Sequence, residues 1–235
     1  MPKQPRIIEK GKIYHVFNRG VEKRKIFMND QDYSRFIIGL EFFNQKNPID
    51  LWGFLTKNLK GKNVQKLLAE KLKEERAKKS KPIVEILVFC LMPNHFHLFV
   101  QQLTKDGLTP FMKAVCTNFS MYFNRKYDRI GHLFESTYKA ALVETEPYYL
   151  HVTRYIHRNP KPLLARDNPL HIYPYSSYPY YLGAPSPIWL HTSPILSFSR
   201  TQRSLFPKDI LSYQSFVENE EIDETEILGE LTLEK

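Results

Sequence analysis

Hydrophobic residues along the first half of the chain alternate with polar ones in several short runs. "KIYHVFNRG" (12–20) alternates and ends on glycine, which predicts a strand followed by a turn. "IVEILVFCL" (83–91) and "HFHLFVQ" (95–101) are β-prone and flank the turn-forming "MPN", which predicts a hairpin. Two further runs predict strands, "IDLWGFLTKN" (49–58) and "TYKAALVE" (137–144).

Other segments repeat apolar residues at the helical spacing of three and four. They predict helices within 29–45, where Asn29 or Asp30 is the cap, and within 108–129 and 147–160. The lysine-rich stretch at about 57–81 predicts an inserted amphipathic helix whose basic face either meets DNA or is simply solvated. Strands and helices in this order predict an α+β fold with an antiparallel sheet, and beyond about residue 162 we expect loops and short helices.

Charge is distributed unevenly. The chain carries a formal net charge of +9, but residues 217–235 hold eight acidic side chains and one lysine, a net of −7, so residues 1–216 carry +9 − (−7) = +16. So basic a body favours a polyanionic partner, most simply nucleic acid, although solubility alone is the other interpretation. We expect the acidic end to be a fraying tail.

Cysteine content and hydropathy exclude several protein classes. Two cysteines, Cys90 and Cys116, exclude a disulfide framework and a cysteine-rich zinc site. The first residues carry no apolar signal region and no run approaches the length of a membrane span, so we expect a cytoplasmic protein without membrane contact.

Two places along the chain carry chemistry. His95 and His97 share one face of a predicted strand, where two imidazoles about 7 Å apart can bind one ion if a third ligand arrives; alone, they are as readily core or surface histidines. Tyr155 and Asn159 share one face at the end of a predicted helix, where they are either a nucleophile and that third ligand or a core tyrosine and a capping amide. His151 lies on the same helix face and competes with Asn159 as the ligand, whereas His157 projects away.

Four ordered motifs carry a family resemblance. "YHVFNRG", "LMPNHFHLFV", "GHLFESTYKAALVE" and "YIHRNP" resemble the REP-associated tyrosine transposase branch of the single-tyrosine HUH transposases, from about Ile13 to about Gly183. The resemblance implies a ferredoxin-like HUH endonuclease fold in which His95, His97 and Asn159 bind Mg²⁺ or Mn²⁺. It also implies that Tyr155 attacks single-stranded DNA beside a hairpin, forming a 5′-phosphotyrosine, and that the protein is a homodimer.

The resemblance and the interleaving of basic with aromatic residues predict DNA contacts in two segments. The candidates are Asn18, Arg19, Lys23, Arg24 and Lys25, and Arg125, Lys126 and Arg129. The chain departs from the family pattern at Ser136 and Thr137, where relatives have glycine and arginine, and at Lys161, Pro162 and Leu163, where they have valine, arginine and alanine.

The function predicted from these residues is metal-dependent cleavage and transfer of single-stranded DNA, in transposition or in the processing of repeated hairpin elements. A nucleic-acid-binding module without catalysis and a nuclease that activates water are the alternatives. We expect the catalytic domain to span residues 1–183, a C-terminal extension 184–216 and the acidic tail 217–235.

Overall fold

The computed structural model describes residues 8–58, 64–78, 80–201 and 212–219, and all structural statements concern these ranges. It contains four strands: β1 (Ile13–Arg19), β2 (Val84–Met92), β3 (His95–Gln102) and β4 (Lys139–Val143). The longer helices are α1 (Asp30–Phe42), α2 (Leu51–Asn58), α3 (Val64–Ala77), α4 (Leu108–Lys126) and α5 (Glu146–Arg158). Three shorter helices follow: α6 (Tyr178–Tyr181), α7 (Ser193–Thr201) and α8 (Tyr213–Glu218).

The strands form one antiparallel sheet in the order β2-β3-β1-β4. This order, with a helix after β1 and another after β3, is the ferredoxin-like arrangement, and the predicted α+β class is confirmed. β2 and β3 form the predicted hairpin through the two residues Pro93 and Asn94. Because β1 pairs with β3, the "YHVFNRG" motif of β1 lies beside the strand that carries His95 and His97. Phe17 is opposite His97, and Arg19 is opposite His95.

Both faces of the sheet are buried. Leu98 and its alternate neighbours pack with α1 and α4 in one hydrophobic core, whereas Phe99 packs with α5 and the short C-terminal helices in another. The alternation predicted apolar residues on one face and a polar face carrying the histidines. The structure shows that α5 covers this second face, so that His97 and Phe99 are both fully buried.

One predicted strand is wrong. Residues 51–58 form α2, which begins directly after Asp50. The Asp50 carboxylate accepts a hydrogen bond from the Gly53 amide at 2.8 Å, the contact of a helix-capping residue with the first turn. A local cap therefore outweighs the β-propensity of the aromatic residues in this stretch.

The inserted basic segment contains the predicted helix, α3. Leu72 is buried in the core, and Arg76 pairs with Glu41 of α1 at 2.6 Å, so α3 is fixed to the body on one side. The predicted Asn29 cap of α1 is confirmed, since its side chain accepts from the Asp32 amide.

The C-terminal helix α8 packs on α5. His157 of α5 is fully buried between the Ser177 and Tyr213 hydroxyls, at 2.8 and 2.9 Å. Arg154, also fully buried, donates from Nε to the Phe216 carbonyl at 2.7 Å and from a terminal nitrogen to that of Asn219. These contacts, which we call the α8 clamp, fix the helix that carries Tyr155 and Asn159.

The predicted domain boundaries stay predictions. The one at residue 217 falls inside α8, whereas residues 1–7 and most of the acidic tail, 220–235, lie outside the described ranges. Cys90 and Cys116 are both free thiols in apolar surroundings. No helix of the described chain is long and apolar enough to cross a membrane.

Candidate active site

The end of α5 meets the histidine strand. Asn159, the residue that follows α5, places its side-chain oxygen 3.1 Å from Nε2 of His95. The Tyr155 ring, one turn earlier, stands edge-on to His97 with 5.4 Å between ring centroids. The structure thus brings the four predicted residues together within one chain, and α5 supplies two of them because residues i and i+4 share a helix face.

His97 is oriented by a third histidine. Nε2 of His15, on the neighbouring strand, lies 2.9 Å from Nδ1 of His97, and both rings are fully buried. Nε2 of His97 is buried as well and has no hydrogen-bond partner among the described residues. Burying a ring nitrogen without a hydrogen-bond partner costs free energy, which makes Nε2 of His97 a candidate ligand atom.

His95 has a carbonyl oxygen at each ring nitrogen. Its Nδ1 lies 2.6 Å from Oδ1 of Asn94, and its Nε2 faces Asn159. The Asn94 amide is held in this orientation because its nitrogen donates to the Lys23 carbonyl at 3.2 Å. A neutral imidazole has one N–H, so it can donate to only one of the two oxygens, and the other contact brings two lone pairs together.

Burial keeps both rings neutral. It lowers the pKa of His95, which the Asn159 oxygen partly restores and the nearby Arg19 charge lowers further. Burial also lowers the pKa of His97 well below its usual value, and His95 and His15 add to the effect, whereas the nearby Asn159 side chain opposes it. At neutral pH, both rings therefore offer a lone pair, which is the form that binds a metal ion.

The residues fit a divalent cation. No three His, Cys, Asp or Glu side chains converge as a metal site in the described ranges, so the set consists of two imidazoles and an amide oxygen. The partnerless Nε2 of His97, and the Asn159 oxygen beside Nε2 of His95, are atoms that a cation could bind. Imidazole ligands suit Mn²⁺ or Zn²⁺, whereas Mg²⁺ prefers oxygen.

The two histidines of α5, His151 and His157, do not reach the candidate metal site. His151 precedes Asn159 by eight residues, about 12 Å along a helix, and its ring lies against Phe216. His157 faces the α8 clamp, as its predicted direction required, and burial lowers its pKa to about 3.

The predicted DNA-contact residues cluster near the same end of the sheet. The turn after β1 packs on the Pro93–Asn94 hairpin turn, where the Ile26 amide donates to the Pro93 carbonyl. Lys23 and Lys25 of this turn are exposed. Burial and the nearby charge of Arg24 lower the pKa of Arg129, which places the end of α4 beside this turn.

Several candidates already have partners within the protein, among them Arg24 with Glu22 at 3.4 Å and Arg129 with Asn124 at 3.1 Å. Arg19 forms a two-point ion pair with Glu135, at 2.8 and 3.2 Å, and stays about one quarter exposed. Asn18 is buried and donates to the Ser136 carbonyl at 2.9 Å. Lys126 binds the buried Asp32 carboxylate at 2.6 Å, an arrangement that fixes α4 to α1. Arg125 is exposed at the end of α4.

The departures from the family pattern are on the surface. Ser136 and Thr137 line a cavity of about 980 Å³ between α4 and residues 131–138, on the opposite side of the sheet from His97. Lys161, Pro162 and Leu163 form an exposed turn directly after Asn159.

Two residues of the site were not singled out as site residues from the sequence. Asn94 was interpreted only as part of a turn, and His15 only as part of a motif. The alternation of β1 puts His15 on the same face as Ile13 and Phe17, which was the available signal. Its contact with His97 depends on the pairing of strands 82 residues apart.

Comparisons with known proteins agree with this geometry. Residues 55–159 match the family model described as "Transposase IS200 like". A solved structure described as "Structure of the REP associates tyrosine transposase bound to a REP hairpin" is similar in fold, with a TM-score of 0.50 and 13% sequence identity, over 81% of this chain and 92% of that one. No curated protein sequence gave a significant match. The predicted resemblance to this transposase family is thereby confirmed.

Proposed function

We propose that the protein cleaves single-stranded DNA through a covalent tyrosine intermediate and rejoins the strand, as a transposase or as a processor of repeated hairpin elements. The observation that carries the proposal is the convergence of Tyr155 and Asn159 on His95 and His97 in a single chain. These four residues all lie in the segment that matches the IS200-like transposase model.

The covalent step begins with the Tyr155 phenol. Its oxygen attacks the phosphorus of a DNA phosphodiester as its proton passes to solvent, the bond from phosphorus to the 3′ oxygen breaks, and that oxygen takes up a proton to become a 3′-OH. The 5′ end stays attached to Tyr155 as a phosphodiester, so a later 3′-OH can displace the tyrosine and restore the strand. Tyr155 is only 7% exposed, which limits the access of water to the intermediate.

A divalent ion held by His95, His97 and Asn159 would supply Lewis-acid stabilisation of the charge that develops on the phosphate. The chain itself contributes the position of these groups. His95 and Asn159 are half-buried whereas His97 is fully buried, so DNA reaches the site from the side of the Asn159 turn. Arg19 lies opposite His95 in the sheet, and in this proposal it binds a neighbouring phosphate in exchange for its Glu135 partner.

The proposed substrate is single-stranded DNA next to a hairpin. The structural relative is bound to a REP hairpin, and the basic turn after β1 together with the basic end of α4 provides phosphate contacts close to the candidate site in this chain. Tyr155 lies against His97 of its own chain, which supports cleavage in cis. Homodimerisation and a cytoplasmic location stay predictions.

Incubation with 5′- and 3′-labelled hairpin oligonucleotides and Mn²⁺, followed by denaturing gels, tests the proposal. We expect a covalent protein–DNA band with the 3′-labelled oligonucleotide, because the fragment downstream of the cut stays attached to the protein through its 5′ phosphate. The 5′-labelled fragment should be released with a free 3′-OH, and the covalent band should be lost in Tyr155→Phe. Tyr148→Phe is the matched control, because Tyr148 lies on the same helix but is 41% exposed. Cleavage that survives Tyr155→Phe would indicate a nuclease that activates water, and binding without any cleavage would indicate a binding module.

A further inference from the structure

The two proposed ligand histidines each contact a second polar group through Nδ1. His97 contacts His15, and His95 contacts Asn94, at 2.9 and 2.6 Å. Nε2 of His95 then faces the Asn159 side chain, and Nε2 of His97 is buried without a hydrogen-bond partner among the described residues. The Asn159 side chain also acts on the pKa of His97, which puts it near that ring as well. In both rings, therefore, Nδ1 contacts a polar group of the protein, whereas Nε2 is the nitrogen available to a ligand.

The Asn94 contact has a defined direction. The Asn94 nitrogen donates to the Lys23 carbonyl, so the Asn94 oxygen faces His95 and can only accept. The Asn159 oxygen at Nε2 is an acceptor as well, but it lies at 3.1 Å whereas the Asn94 oxygen lies at 2.6 Å, so the shorter contact favours the proton on Nδ1 and leaves a lone pair on Nε2. Glu22 and Lys23 both have positive φ angles, 56° and 57°, and this uncommon backbone of non-glycine residues brings the Lys23 carbonyl to the Asn94 amide.

The His15 contact follows the same logic. If His15 donated its Nε2 proton to His97, the proton of His97 would lie on Nε2, which is fully buried and has no hydrogen-bond partner in the described chain. If His97 Nδ1–H donates to His15 instead, the partnerless nitrogen is a lone pair. This arrangement costs less without a ligand and binds an ion directly when one is present.

We infer that His15 and Asn94 are positioning residues, which fix the Nδ1–H tautomers of His97 and His95 so that both Nε2 lone pairs face the Asn159 side chain. The inference rests on the proposed function for its metal-binding consequence, but the tautomers themselves exist in the metal-free protein. Neither residue touches the DNA phosphate in this assignment. Each acts through the histidine that it contacts.

The first measurement uses metal-free protein labelled with ¹⁵N-histidine. Long-range ¹H–¹⁵N spectra distinguish the protonated from the bare ring nitrogen, and single substitutions assign the signals. We expect His95 and His97 to carry their protons on Nδ1, and His97 to lose this preference in His15→Phe. A proton on Nε2 of His97 in the wild type, or an unchanged tautomer in His15→Phe, would overturn the inference.

The second measurement is the affinity of the protein for Mn²⁺ alone. The electron paramagnetic resonance signal of the unbound ion reports how much Mn²⁺ is bound. Loss of such outer contacts typically weakens metal binding 10–100-fold, and we expect this range for His15→Phe and Asn94→Ala. His15→Gln and Asn94→Asp keep an acceptor oxygen near the same place, and they should restore most of the affinity. His151→Phe removes a histidine beyond the contact distance and is the control.

The two proposals fail differently. If the wild type does not bind Mn²⁺, or if His95→Ala binds it normally, the metal part of the proposed function is wrong, and the metal-free spectra still decide the tautomers. If Mn²⁺ binds and His95→Ala abolishes binding, but His15→Phe and Asn94→Ala bind as the wild type does, the positioning role is refuted. Thermal unfolding of each variant identifies a general loss of structure, in which case His15→Gln and Asn94→Asp carry the test.

Discussion

Replacing Arg154 with methionine tests the α8 clamp most directly. The Arg154 guanidinium is fully buried and donates to the carbonyls of Phe216 and Asn219, at the C-terminal end of α8. Carbonyls at a helix end lack partners within the helix, and a cation there both satisfies them and complements the helix dipole. Methionine keeps most of the side-chain volume but removes every donor.

The magnitude follows from these contacts. A hydrogen bond that involves a charged group contributes about 1.5–3 kcal/mol, so the bonds to Phe216 and Asn219 together contribute roughly 3–6 kcal/mol. Asn219 is half-buried, and water can replace part of its contact, so we expect Arg154→Met to lower the free energy of unfolding by about 3 kcal/mol. Arg158 binds the same end of α8 at 2.9 and 3.1 Å but is half-buried, and Arg158→Met should cost about 1 kcal/mol.

Urea unfolding followed by circular dichroism gives the free energies, and hydrogen exchange shows where the protein opens. We expect the amides of α8 and of the second half of α5 to exchange faster in Arg154→Met, while those of β1 and β3 keep their protection. A loss of stability below about 1 kcal/mol, or faster exchange spread evenly over the sheet, would refute the assignment of the clamp to Arg154.

Three further predictions concern other parts of the fold. Burial raises the pKa of Asp32, but the hydrogen bonds from Lys126, Tyr127 and others outweigh burial and lower the pKa below 3.8. The contribution of Asp32 to the free energy of unfolding is therefore complete above pH 3.8 and is lost as pH falls through the lower pKa of the folded state. Urea midpoints should consequently fall more steeply below about pH 4 in the wild type than in Asp32→Asn. Lys25→Ala should weaken binding to single-stranded DNA similarly for all sequences and reduce the salt dependence of log K by roughly 0.7, measured by fluorescence anisotropy; an unchanged slope would exclude a phosphate contact. Gly20→Ala places a Cβ against the Arg24 carbonyl within the turn, and thermal melts should show a loss of about 1–3 kcal/mol; wild-type stability would mean that the turn adapts freely.

Local patterns were enough to predict most of the sheet. The alternation in 12–20 and the β-prone runs around "MPN" correspond to β1, β2 and β3, because these strands are long and their turn residues lie at the predicted places. The stretch 49–58 was misassigned because its aromatic residues favour strands, whereas the Asp50 cap and the packing of Leu51 in the core determine a helix.

The candidate site was predictable only in part. Spacing alone placed His95 with His97 and Tyr155 with Asn159, since each pair lies on one element. The contact between the pairs came from the family resemblance, because no local pattern encodes how α5 crosses the sheet. His15 depends on the register of β1 against β3, and a shift of one residue would turn it to the other face. The contacts between α5 and α8 in the α8 clamp join residues 56 to 65 positions apart and have no periodic signal.

The α8 clamp also sets the order in which the protein becomes complete during synthesis. The site is complete in sequence at Asn159 and α8 begins at Tyr213, so 213 − 159 = 54 residues separate them. At synthesis rates of about 5–20 residues per second, this delay lasts roughly 3–11 s. During that interval the chain contains both histidines and Tyr155 but lacks the contacts that fix the tyrosine helix. A chain that stops before residue 212 would therefore have the four residues proposed for strand cleavage but would lack the contacts of α8 with α5.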